Sequence, residues 1–319
     1  MESELRWINQ RSVGENDFRE LMSIYPALQR ILFIHIPKCG GTSIRKTLIQ
    51  EYGCAPIPLR DVGTISQSIE YMMGSLPPKS SQGQLLAACA KERKSENLRQ
   101  RFMRVFLGYG LAHSSKKVFM LGHKRARELT SFRRNSNDIT LATVRSPADI
   151  LKSLASYRVS HTLKNAQRTD SIKLLESLQL DLQGFTELVS TQPRHLTERI
   201  LEKESPSLAN YLAVDRHTDH ASVWEGIRDQ TIFIAHMSEQ AQMLGKLFGK
   251  QNNQYRMNTS DNRQGLAAEF SGRIQKSWTE SFVDADSIKL YQRLESSGVI
   301  GFWKNGGTID EYRELLKTS

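Results

Sequence analysis

Lys38, Gly40, Gly41, Thr42 and Ser43 stand together in the segment Arg30-Ile-Leu-Phe-Ile-His-Ile-Pro-Lys-Cys-Gly-Gly-Thr-Ser43. An apolar run, a glycine turn with one lysine, and two hydroxyls at a helix start make an anion cradle. Backbone N–H groups and the helix N-terminus face the anion, and Lys38 adds a full positive charge. The loop that grips nucleoside triphosphates reads G-x-x-x-x-G-K-[ST], with its lysine after the glycines. Here Lys38 precedes Gly40-Gly41, so the loop is expected to hold a phosphate but not a nucleoside triphosphate. Pro37 opens the turn. Cys39 reads as a small side chain filling it rather than as a nucleophile.

Two further groups have the chemistry to complete a site. His123, in Gly122-His123-Lys124-Arg125, is a candidate base, because an imidazole with an ordinary pKa near 6.5 suits proton abstraction from a hydroxyl. Arg145, in Arg145-Ser146-Pro147, has Ser153 eight residues downstream. An arginine at a strand end, with a serine two turns into the next helix, can clamp a second phosphate through the guanidinium fork. His236 reads as structural. His217-x-x-His220 with Asp215 and Asp219 reads as a polar helix turn rather than a metal site.

Positioning these groups requires a strand before each loop. Arg30–Ile36, Ala55–Leu59, Lys117–Leu121, Asp138–Val144 and Thr231–Ala235 are short apolar runs of strand character, alternating with helical pattern. A helix capped by Thr42 or Ser43 is expected to run to about Tyr52. Others are expected over Pro147–Leu163, over Ser171–Leu201 with interruptions at Gly184 and Pro193, over Glu239–Phe248 and over Asp286–Leu294. The alternation predicts an α/β fold: a P-loop-like parallel sheet flanked by helices, with helical insertions. Ligands bind beyond the carboxyl ends of such strands, so the loops after residues 36, 121, 144 and 235 are expected to converge. One domain of 319 residues is expected, with a lead-in helix over 1–29, a core over 30–300 and a C-terminal tail over 301–319.

Composition narrows the partners. The net charge of +10 is carried by Lys91–Arg134, which holds thirteen Lys and Arg against Glu92, Glu96 and Glu128. That window suits an acidic cofactor or substrate. It carries no nucleic-acid-binding signature. No apolar run is long enough to span a bilayer, and no secretory signal opens the chain. Three cysteines without a CxxC argue against a zinc site or a disulfide framework, and a cytoplasmic setting is expected.

FIHIPKCGGTS, the Gly-His at 122–123 and TVRSPADILKS together resemble the PAPS-dependent sulfotransferases. The likeness is to the family that includes heparan sulfate 2-O-sulfotransferase and many bacterial carbohydrate and small-molecule sulfotransferases. Their loop typically reads HIPKTGGTS, from which this chain departs at Cys39. It departs again at Ser146, Ile150 and Ala155, where aspartate, arginine and an aromatic are common. The resemblance implies that Lys38 contacts the bridging oxygen of PAPS (3′-phosphoadenosine 5′-phosphosulfate), with Gly40, Gly41, Thr42 and Ser43 around the 5′-phosphate. It implies that Arg145 and Ser153 grip the 3′-phosphate, that His123 is the base with His35 and Glu51 next in line, and that Arg256 lies in a loop over the nucleotide. The expected reaction moves a sulfuryl group from PAPS to a hydroxylated acceptor, of the acidic glycan or small-molecule kind, releasing PAP (3′-phosphoadenosine 5′-phosphate) without a metal. The rivals are a P-loop kinase using ATP and magnesium, and a non-catalytic protein that binds PAP or another polyanion.

Overall fold

The computed structural model describes residues 29–52, 54–58, 117–121, 125–130, 138–249 and 265–319. Its centre is a five-stranded sheet built from β1 (Gln29–Ile34), β2 (Ala55–Pro58), β3 (Lys117–Leu121), β4 (Ile139–Val144) and β5 (Phe233–His236), in the order β2-β3-β1-β4-β5. Every pairing is parallel, and Ile31 sits opposite both Phe119 and Ile139. Five of the six residues of β1 and of β4 are buried. Continuous apolar runs of this kind belong to strands covered on both faces. The expected parallel sheet is present, with strand ends shifted by one or two residues.

The sheet order places the site. The chain leaves β1 for β2 at one edge and leaves β4 for β5 at the other. The loops after these two adjacent strands therefore diverge, and the crevice between them is where a parallel sheet receives a ligand.

Helices α1 (Gly41–Gln50), α2 (Ala126–Thr130) and α3 (Pro147–Lys164) follow β1, β3 and β4. The stretch expected as one interrupted helix is three: α4 (Thr169–Leu178), α5 (Leu182–Thr191) and α6 (Pro193–Lys203). The first break falls at Gln179, with φ of 53°, and not at Gly184. Gly184 lies inside α5, where its N–H meets the capping Asp181 carboxylate at 2.7 Å. A glycine in the first turn of a helix does not interrupt it when a cap holds its amide.

After α7 (Leu208–Leu212), α8 (His220–Asp229) and β5 come α9 (Gln240–Phe248), α10 (Leu266–Arg273), α11 (Ser277–Glu280), α12 (Ala285–Ser296), a 3-10 helix (Val299–Asn305) and α13 (Ile309–Thr318). Two hydrophobic clusters result, one around the sheet and one among α3–α6, α10 and α11. α3 is their common wall, sending Ile150 into the first and Leu151, Leu154, Ala155 and Val159 into the second. Ile150 and Ala155, where the resembling family carries an arginine and an aromatic, are thus core residues here.

Residues 301–319 are not a loose tail. The Trp303 indole donates to the Ile234 carbonyl at 2.9 Å, and the Tyr312 hydroxyl donates to the Ile232 carbonyl at 2.8 Å while accepting from the Ile234 N–H at 2.7 Å. β5 is an edge strand, and its outward backbone groups need partners. The aromatic side chains of the last turns supply them.

No helix among the described residues is long and apolar enough to cross a membrane.

Candidate functional site

The loop after β1 is fastened to β4 before it reaches α1. The Thr143 hydroxyl donates to the Cys39 carbonyl at 2.5 Å, and the Cys39 N–H closes a turn on the Ile36 carbonyl at 3.3 Å. Cys39 itself is wholly buried in the sheet core, its sulfur facing the backbone N–H of Arg145. Burial pushes the thiol up to about 12, against the smaller opposing influence of Arg145 and Lys38. It is neutral and enclosed, so only its backbone is open to a ligand. The small buried side chain fills the turn while its backbone carbonyl ties the two strand ends together.

Lys38 has a φ of 65° and Gly40 a φ of 80°. A left-handed lysine is uncommon, and strained residues of this kind gather at functional sites. Gly40, and not Thr42 or Ser43, caps α1, with no side-chain hydrogen bond to the helix start and no acidic residue in the first turn. The first intrahelical bond is Ile44 N–H to Gly40 carbonyl at 3.1 Å. The first-turn amides thus have no acceptor within the helix, which makes this end a seat for an anion. The glycine pair is also demanded by packing. A Cβ on Gly41 would lie 2.0 Å from His35 Nε2, and one on Gly40 would lie 2.9 Å from Met237 Cγ.

That packing occupies His35, one of the two reserve bases. His35 is buried, stacked on Phe33 and accepting from the Arg45 guanidinium at Nδ1. Its ring supports the turn and is not presented to a substrate. Glu51 follows the last residue of α1, about 15 Å along the axis from the cradle. His123 and Arg256 lie outside the described residues, as does residue range 91–116 of the basic window.

α3 supplies the other wall. Ser146 caps it, accepting from the Asp149 N–H at 3.3 Å and donating to the Asp149 carboxylate at 2.6 Å. Serine here does the capping work an aspartate would do. The Lys38 ammonium sits 4.1 Å from the centre of the Tyr157 ring, a cation–π contact. Tyr157 is one turn beyond Ser153, so the two share the helix face turned to the loop. The Thr42 and Ser153 side chains are half-buried, and neither hydroxyl has a hydrogen-bond partner among the described residues.

Arg145 leaves the end of β4 half-buried, and among the described residues its guanidinium has no hydrogen-bond or ion-pair partner. It is close enough to His236 to help depress that imidazole, although burial is the larger cause. The structure therefore brings the Pro37–Ser43 turn against the end of β4 at Thr143 and Arg145, and against α3 through Lys38 and Tyr157. It adds Tyr157 and His236, which sequence reasoning overlooked or set aside. The one signal for Tyr157 was its spacing of four residues from Ser153. The His220 imidazole pairs with Asp286 at 3.2 Å, and the backbone N–H of His217 meets the Asp215 carboxylate at 2.7 Å. Among the described residues, no group of three or more His, Cys, Asp or Glu could hold a metal ion.

No protein-family model, no curated protein and no solved structure matches the chain.

Proposed function

We propose that the chain is a sulfotransferase, moving the sulfuryl group of PAPS to a hydroxyl of a glycan or small-molecule acceptor. The observation that carries this reading is Arg145. A half-buried arginine with no hydrogen-bond or ion-pair partner among the described residues costs desolvation unless an anion completes it. It stands beside a separate anion seat, the Pro37–Ser43 turn, to which Cys39 ties it. Two phosphate sites on adjacent strand ends suit a nucleotide phosphorylated at both ends of its ribose. We read the loop accordingly as P-loop-like, but adapted to a phosphosulfate, with Lys38 ahead of the glycines.

PAPS supplies an already activated sulfuryl group, with PAP as the leaving group. The first-turn amides of α1, with Thr42 and Ser43, hold the 5′-phosphate, and Arg145 with Ser153 holds the 3′-phosphate. Lys38 stabilises the charge that builds on the bridging oxygen, a kind of preorganised donor commonly worth about 10²–10³ in rate. The Tyr157 ring keeps its ammonium at the mouth of the crevice. His123 takes the proton from the acceptor hydroxyl.

A thermal-shift titration tests the assignment. PAP is expected to raise the melting temperature more than ATP with magnesium does, because only PAP presents a 3′-phosphate to Arg145. Equal shifts, or none, would remove the cofactor from the reading. If PAP binds and a screen of hydroxylated acceptors with labelled PAPS yields no product, the chain is a PAP-binding protein and not an enzyme.

A further inference from the structure

His236 ends β5 directly opposite Val144, the residue before Arg145. Neighbouring strands run about 4.8 Å apart, so the imidazole and the guanidinium issue from adjacent strand ends. The imidazole is not free to choose its tautomer. Its Nδ1 accepts from the Ser238 N–H at 3.3 Å, capping the short turn that follows β5, and lies 2.8 Å from the Ser238 hydroxyl. In the neutral ring the proton is therefore on Nε2, which has no partner among the described residues.

The charged groups around His236 are Lys304, Arg145, Asp149 and Glu295. Burial, with the two cations, lowers its pKa and keeps it neutral at pH 7. The carboxylates nearby are engaged by groups other than Arg145. Asp149 accepts from Ser146 at 2.6 Å, Glu295 from the Tyr291 hydroxyl, and buried Glu239 pairs with Lys304 at 3.4 Å. Among the described residues Arg145 is left over, and so is the Nε2–H of His236.

We propose that His236 is a third ligand of the phosphate held by Arg145 and Ser153, donating its Nε2–H to an oxygen that the guanidinium fork leaves open. The guanidinium engages two oxygens of a phosphate in one plane, which leaves the third to another donor. A neutral donor suits this place, because it adds a hydrogen bond without adding a third cation. The role makes His236 a specificity determinant, selecting a nucleotide that carries a phosphate at the 3′ position over one that does not. The assignment rests on the proposed cofactor reading.

Calorimetric titrations of PAP and of adenosine 5′-monophosphate against the whole chain and two variants test it. His236→Asn retains an acceptor for the Ser238 N–H but withdraws the distal donor, whereas His236→Gln carries an amide donor near the Nε2 position. His236→Asn is expected to keep its melting temperature and to bind PAP about tenfold or more weakly, the usual worth of a hydrogen bond to a charged group. Its affinity for adenosine 5′-monophosphate is expected to stay put, and His236→Gln is expected to recover much of the PAP affinity. Unchanged PAP binding in His236→Asn, or equal losses for both nucleotides, would overturn the assignment alone. Failure of the parent chain to bind PAP would overturn it together with the cofactor reading.

Discussion

Two arginines near opposite ends of the same pair of strands have opposite fates. Arg30, in β1, makes a two-point pair with Asp138, which precedes β4, at 2.8 and 2.5 Å, with both side chains almost wholly buried. Arg145, just beyond β4 at the carboxyl edge, has no partner among the described residues. At the amino edge the fold neutralises a buried charge, whereas at the carboxyl edge it leaves one waiting. The first arginine holds two strands in place, and the second is the one to which the proposed function assigns an anion. A charge kept at a cost, beside a turn that already suits a phosphate, is what separates a binding group from a structural one.

Removing each arginine is the sharpest way to break this comparison. Arg30→Ala leaves Asp138 buried and uncompensated, and is expected to cost about 3–5 kcal/mol in urea denaturation. Arg145→Ala is expected to change stability by about 0.5 kcal/mol or less, while abolishing the advantage of PAP over adenosine 5′-monophosphate. A large loss of stability in Arg145→Ala, with nucleotide preference intact, would place it with Arg30.

The next effect concerns the turn that faces Arg145. Gly41→Ala forces a methyl into the His35 ring, which Arg45 and Phe33 hold from the other side. A loss of about 1–3 kcal/mol is expected. Wild-type stability in that variant would mean that His35 can yield, and that the glycine serves the ligand alone.

The smallest effect is a pH dependence. The pKa of His236 is depressed from its ordinary 6.5, so the unfolded chain binds its proton more readily than the folded one. Stability from this group is complete above about pH 6.5 and is lost as pH falls below it, towards the lowered folded value. His236→Asn is expected to match the parent above about pH 6.5 and to become the more stable of the two as pH falls below it, because asparagine does not titrate. A difference that does not vary with pH would show that His236 is not held neutral.

Much of this was legible in the order of residues because the relevant signals are local. The apolar run before Pro37, the lysine ahead of two glycines, and Pro147 in the first turn of α3 each act within a few positions. Arg145 and Ser153 were legible for the same reason, lying two turns apart on one strand–helix junction. The cap at Gly40 was misassigned to Thr42 or Ser43, because a left-handed glycine cap carries no side-chain signature. The docking of residues 301–319 was hidden. Trp303 and Tyr312 serve β5 from about 70 and 80 residues away, and nothing local marks an aromatic as the cover of a strand edge.

The sequence by itself determined that a glycine turn with one lysine follows an apolar strand, that an arginine and a serine stand at a second strand end, and that the strands are parallel. These follow from backbone chemistry and periodicity, which act at short range. Only the tertiary structure decided that β1 and β4 are neighbours, that Cys39 is a buried rivet, and that Lys38 rests on Tyr157. It alone turned His35 inward as packing and, among the described residues, left the Arg145 guanidinium and the His236 Nε2 on adjacent strand ends without hydrogen-bond partners. Whether a polar group is satisfied depends on what other parts of the chain bring to it, and that is settled only when the strands have found their order.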